Sequence, residues 1–196
     1  GVELVKIIRH KDDYLNSRLR DISSSIGSAS IKSQYLRELE TVFNETSESS
    51  LNNALSFFFK GINDLSQNPE SISIRSTFLE TANTLTDTFR RVVGELDQMK
   101  IFIKQSVENK ISDINALSTN IANINKQIAA LKTKGIDSND LLDKREALLY
   151  DLSKLTHITV NTQRNGMVDV ITPGGTLVSG SSATNLTFDI DTSGTL

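Results

Sequence analysis

The sequence predicts an α+β protein, mainly α: an elongated bundle of long helices followed by a β-rich portion of antiparallel hairpins. Three observations carry this. Ser73 to Lys134 holds no proline and one glycine, Gly94, and its apolar residues keep to a helical face. A second stripe, Leu15, Leu19, Ile22, Ile26, Ala29, Ser33 and Leu36, steps by four and three in strict alternation. After Thr156 the period of the apolar residues shortens to two.

In chain order, Gly1 to Arg9 is rich in Val, Leu and Ile and predicts a short strand. A helix follows from Asp12, weakened at Gly27 and among its serines, with Leu15, Leu19, Ile22 and Leu36 as expected core. It should fade in the polar loop Asn44 to Ser50. Ser49 or Ser50 can cap a third element, a helix carrying Leu51, Leu55, Phe58, Phe59, Ile62 and Leu65. Phe57, Phe58 and Phe59 cover more than one stripe, so contact on two sides is expected. Proline pushes the residue before it out of helical geometry, so this helix should end before Asn68–Pro69.

The long helix comes next. Its clearest seam is Ile114, Leu117, Ile121, Ile124, Ile128 and Leu131. Upstream the seam drifts, with steps of four from Met99 to Ile111 and then of three to Leu117. Such drift predicts a bundle with local changes of twist rather than one continuous coiled coil. Unbroken, the helix would be roughly 90 Å long at about 1.5 Å per residue, which suits a spacer or a structural part. Gly135 fits the left-handed position just past its end. Asp137 to Asp140 offers caps for a last helix from Leu141 to about Leu155, with Leu142, Arg145 and Leu149 inward.

In the β-rich portion, Arg164–Asn165–Gly166 joins two alternating runs. A two-residue Asn–Gly turn would put Val168 and Val170 on the face opposite Val160. A three-residue loop pairs Thr162 with Val168 and Val160 with Val170, keeping the apolar residues together, and is preferred. Thr172–Pro173–Gly174–Gly175 suggests a type II turn. Thr176 to Ser179, and then Leu186, Phe188 and Ile190, read as further strands. The expected division is a helical rod domain over 1–156 and the first part of a β-rich domain over 157–196.

Composition narrows the function. The 196 residues carry a net charge of −3, no cysteine and 37% hydrophobic residues. No basic surplus points to nucleic acid or an anionic membrane, and no run is long enough to span a bilayer. Without cysteine there is no disulfide, thiol catalysis or thiolate metal site. The chain begins without Met or a signal peptide, as a piece of a longer protein would. His10 and His157 lack partners at metal spacing. Asp137, Asp140 and Asp143 fit helix capping better than a calcium loop, because Leu141 and Leu142 stand where ligands belong. A structural ion pair is the expected role of Arg145. No catalytic group, cofactor site or metal site is expected.

Several segments together resemble the flagellar hook-associated protein 1 family of bacteria. The opening, Gly1 to Arg20, is similar to that family's strand and helix start. Leu51 to Pro69 is similar to its segment closed by Asn–Pro. The most specific stretch is Asn139-Asp-Leu-Leu-Asp-Lys-Arg-Glu-Ala-Leu, in which Asn139, Leu141, Leu142, Asp143 and Arg145 match the family pattern. The resemblance covers Gly1 to about Ser182. It implies a structural axial protein of the flagellum, an adaptor joining hook to filament, extracellular and exported through the flagellar secretion channel. Implied partners are the hook protein, the second junction protein and copies of itself. The family's paired terminal segments are missing here, so the isolated fragment is expected to be monomeric. A second junction protein or a flagellin shares the rod but matches Leu141 to Leu155 less well. A coiled-coil signalling or scaffold module would dimerise through the Ile114–Leu131 seam, and the β-rich end argues against it. An enzyme ranks last.

One outcome follows from the seam alone. Ile121→Asp should unfold the helical part, because an unpaired charge would enter a buried stripe. A cooperative circular-dichroism melt unchanged by the substitution would put this seam in solvent.

Overall fold

The computed structural model describes residues 12–43, 50–136 and 138–189. The expected N-terminal strand, His10, the loop from Asn44 to Ser49, Asp137 and Ile190 lie outside them. Four helices precede four strands: α1 (Asp13–Phe43), α2 (Leu51–Gln67), α3 (Ile72–Thr133), α4 (Asn139–Leu155), β1 (Thr159–Thr162), β2 (Val168–Thr172), β3 (Gly175–Ser179) and β4 (Ser182–Ala183).

The helix ends follow local chemistry. Asp12 opens α1 by accepting the Leu15 N–H on Oδ1 at 3.0 Å. Ser50 caps α2 by accepting from the Asn53 N–H at 3.2 Å. Ser71 opens α3, its carbonyl accepting from the Arg75 N–H at 3.1 Å. At the far end of α3, Gly135 has φ +69°. The Ile136 N–H bonds the Leu131 carbonyl and the Gly135 N–H bonds the Lys132 carbonyl, both at 3.1 Å. This is a Schellman cap, which satisfies carbonyls the helix leaves free. Ser138 holds the N-cap position of α4 without a side-chain capping bond.

The strands form an antiparallel meander in the order β1-β2-β3-β4. Thr162 pairs with Val168 and Val160 with Val170, and Gly166 at φ +86° occupies the left-handed position of the three-residue loop. At the next turn the positive φ falls on Gly175 at +137° rather than on Gly174, so the turn is not type II. Between β2 and β3 the register shifts at Val170/Ile171. The extra residue there is Leu177, and the bulge lets the consecutive Leu177 and Val178 both be buried.

The chain packs as two compact units, Gly1–Ser30 with Ser106–Leu196, and Ile31–Gln105. In the first unit Ile114, Ile121, Ala122, Leu149, Leu152, Ile158, Val168, Val170, Leu177 and Val178 form one core. A small sheet with one apolar face has to cover it, and α3 and α4 supply the cover. Ile121 is fully buried, worth roughly 1.5–3 kcal/mol relative to exposure. Ile128 is buried too, while Leu117, Ile124, Leu131 and Leu142 are half-buried.

In the second unit α2 meets α3 through small residues, and its buried positions are Ala54 and Gly61. A Cβ on Gly61 would lie 3.1 Å from Thr81 Oγ1. Phe58 packs beside Phe78 with ring centroids 5.5 Å apart. Phe57 and Phe59 are exposed, so α2 is contacted on one side, not two.

The stripe on α1 also departs from expectation. Leu15, Leu19, Ile22 and Leu36 are about half exposed or more, between 49% and 59%. In the first unit the partly buried side of α1 is instead Asn16, Arg20, Ser23, Ser24 and Gly27. Gly27 decides this. A Cβ there would stand 2.5 Å from the Lys154 carbonyl oxygen, so α1 approaches the α4 backbone along its small, polar side. Apolar spacing reveals that a helix has an apolar side, but close backbone approach selects the side that meets α4.

The expected strand Leu186, Phe188 and Ile190 does not form. Residues 184–189 carry no regular structure, and the last strand is the two-residue β4. Among the described residues no helix is long and apolar enough to cross a membrane.

Two glycine substitutions separate these effects. Gly27→Ala should destabilise the protein by about 1–3 kcal/mol through overpacking against the Lys154 carbonyl. Gly94→Ala has open space around it and should stabilise by about 0.5–1 kcal/mol through helix propensity. Thermal melts of both variants check the opposite signs.

Candidate functional site, a buried amide clamp

Placing a sheet on helices buries backbone N–H and C=O groups, which then need partners. Asn125, fully buried on α3, supplies them. Its Oδ1 accepts from the Val168 N–H at 3.2 Å and from Arg145 Nη1 at 3.0 Å. Its Nδ2 donates to the Val168 carbonyl at 2.8 Å and to the Gly180 carbonyl at 2.6 Å. A carboxamide can accept two bonds and donate two, so Asn125 is fully satisfied. Toward Val168 it behaves as a neighbouring peptide unit would.

Arg145 on α4 is the second member. It is 5% exposed, and besides Asn125 its Nη1 donates to the Gly166 carbonyl at 2.7 Å. Lys132 Nζ donates to the Arg164 carbonyl at 2.8 Å. Two carbonyls of the β1–β2 turn are thus held by two cationic side chains. The turn sits close to α3: a Cβ on Gly166 would lie 3.4 Å from the Ile128 side chain. Asp169 completes the node by accepting from the Gly180 N–H and from Gln163, both at 2.8 Å.

A second clamp of the same kind lies ten positions earlier on α3. Asn115 Oδ1 accepts from the Leu186 N–H at 2.8 Å, and its Nδ2 donates to the Leu186 carbonyl at 2.9 Å. Between the two, the Ser118 hydroxyl is buried and has no hydrogen-bond partner among the described residues.

Towards α1 a polar groove is lined by Asp13, Arg20, Asp21, Glu146 and His157. Arg20 and Glu146 form an ion pair at 2.6 Å, and His157 lies 3.9 Å from Asp21. On the exposed side of α4 the hydrogen bond to Asp151 holds the Lys154 ammonium above its ordinary pKa. No group of three or more His, Cys, Asp or Glu side chains gathers as a metal site among the described residues.

Of the residues singled out in the sequence, Arg145 and Leu149 reach the buried interior, while Asn139, Leu141 and Leu142 are half-buried and Asp143 is exposed. Arg145, expected in a structural ion pair, also bonds an amide and a peptide oxygen through Nη1. Asn115 and Asn125 were not singled out. A signal for Asn125 was present, because it stands four residues after Ile121 and three before Ile128, on the seam itself.

Residues 36–195 match the family described as the flagellar hook-associated protein FlgK helical domain. The chain belongs to that family. Flagellar hook-associated protein 1 of Bacillus subtilis (strain 168) is 30% identical over 166 residues, covering 85% of this chain and 33% of that protein. Its counterpart in Salmonella typhimurium (strain LT2) is 26% identical over 189 residues, covering 95% of this chain and 34% of the relative. The chain therefore spans about a third of the length of these relatives. The solved structure of the flagellar hook junction protein FlgK from Burkholderia pseudomallei superposes with a TM-score of 0.70 at 24% identity. It covers 88% of this chain and 30% of that one, and shows that the fold is shared. In this chain the clamp ties the sheet to α3 and α4.

Asn125→Ala would leave Val168, Gly180 and Arg145 without their shared partner. The expected loss is about 3 kcal/mol or more, against less than about 0.5 kcal/mol for the exposed Asn120→Ala. Urea unfolding of the two variants checks it.

Proposed function

We propose that this chain is the helical part of a structural axial protein of the bacterial flagellum, an adaptor that joins hook to filament. The observation that carries the reading is the family assignment over residues 36–195. In this reading the protein acts by packing. Ile114 and Ile121 hold the last part of α3, from Ser106 onward, against the sheet. Leu15, Leu19, Ile22 and Ile26, uncovered on α1, leave an apolar stripe for other parts of the assembled structure. The partners are other axial proteins: the hook protein, the second junction protein and neighbouring copies of the full-length protein. The location is the flagellum outside the cell, reached through the flagellar secretion channel. The 196 residues alone should be monomeric. Residues 157–196 would open the β-rich part of the longer protein.

The scaffold reading needs the Ile114–Leu131 seam to pair with a second copy. Ile114, Ile121 and Ile128 are at most 6% exposed within one chain, so that face is already occupied.

Immunogold electron microscopy on cells of the source organism, with antibody raised against this chain, tests the proposal. Label in a narrow band where hook meets filament is the expected result. Label along the whole filament would assign the chain to a flagellin-like protein, and an unlabelled flagellum would refute the axial role.

A further inference from the structure

We propose that Asn115 is a latch that fixes residues 184–189 to α3 and so sets the path of the chain as it leaves the sheet. This stretch has the side-chain alternation of a strand, with Leu186 and Phe188 half-buried and Asn185, Thr187 and Asp189 exposed. It nevertheless joins no ladder, because β4 ends at Ala183. An extended segment lying on a helix cannot pair its backbone with the helix backbone, whose own groups are already bonded. Only a side chain can answer it, and a carboxamide is the group that matches both an N–H and a C=O. Asn115 does this at Leu186, with bonds of 2.8 and 2.9 Å. The Leu186 side chain packs against the core of the same unit. Upstream, the Thr184 N–H bonds the Leu177 carbonyl at 2.8 Å.

The placement gives the latch its purpose. β4 has two residues, paired with Val178 and Ser179, and an edge strand so short frays readily when its free end moves. The bonds of Asn115 to Leu186 fix the chain to a long helix three residues after β4 ends. Asn125 holds the sheet itself and Asn115 holds its exit. The same chemistry at two points of one helix therefore does two separable jobs. The inference rests on these contacts and not on the junction reading.

Amide hydrogen exchange, followed by NMR on the 196-residue chain, tests it. In Asn115→Ala the Leu186 and Thr184 amides should exchange faster by on the order of tenfold, as expected for loss of a local bond. Val170 and Val178 should keep their protection. Asn115→Asp retains an oxygen that accepts from the Leu186 N–H but cannot donate to its carbonyl. Its Leu186 rate should therefore fall between those of the parent and the alanine variant. An unchanged Leu186 rate in Asn115→Ala overturns the latch. So does an equal acceleration of all sheet amides, or an aspartate variant indistinguishable from alanine, because either would make Asn115 a general support of the fold.

Discussion

The first unit depends on a single requirement: a sheet laid on helices must satisfy the backbone groups it buries. Apolar contact can hold Val168, Val170, Leu177 and Val178 against α3 and α4, but it is non-directional. The bonds of Asn125 are directional. They tie α3 to the start of β2 and to the turn after β3, and Arg145 brings α4 and the β1–β2 turn to the same point. Because all four bonding positions of the carboxamide are used, a slip of β2 by one residue would leave buried polar groups unpaired. The apolar core supplies the larger share of the stability, and the node selects one register out of several with similar burial.

Helix α1 shows the opposite arrangement. It meets α4 through Gly27 and through the Arg20–Glu146 ion pair, and leaves much of its apolar stripe exposed. A helix whose polar side faces its own protein has an apolar side available to something else. The chain spans about a third of the length of its hook-associated relatives.

Much of the fold was legible in short-range chemistry. Asp12, Ser50, Pro69 and Gly135 mark helix ends because caps, proline and left-handed glycine act within a few residues. The three-residue loop at Arg164–Gly166 could be deduced because only that register keeps Val160, Val168 and Val170 on one face. The site was legible in part. Arg145 stood out through family resemblance, whereas Asn115 and Asn125 are ordinary residues in a helix until the segments they hold, 71 and 43 positions away, are in place. The β3 bulge and the failed strand at Leu186 were hidden for the same reason, since alternation records which side chains turn inward but not what lies beside the backbone.

By itself, then, the sequence determined the order of the four helices, where they end, the register of the first hairpin and the family, because each rests on periodicity, turn chemistry or motif spacing within a short window. Only the tertiary structure decided which side of α1 meets α4, how the sheet is fastened to α3, and that the chain leaves the sheet along a helix. Those outcomes depend on a 2.5 Å clearance at Gly27 and on amide groups finding backbone partners far along the chain, and neither is encoded in any local pattern.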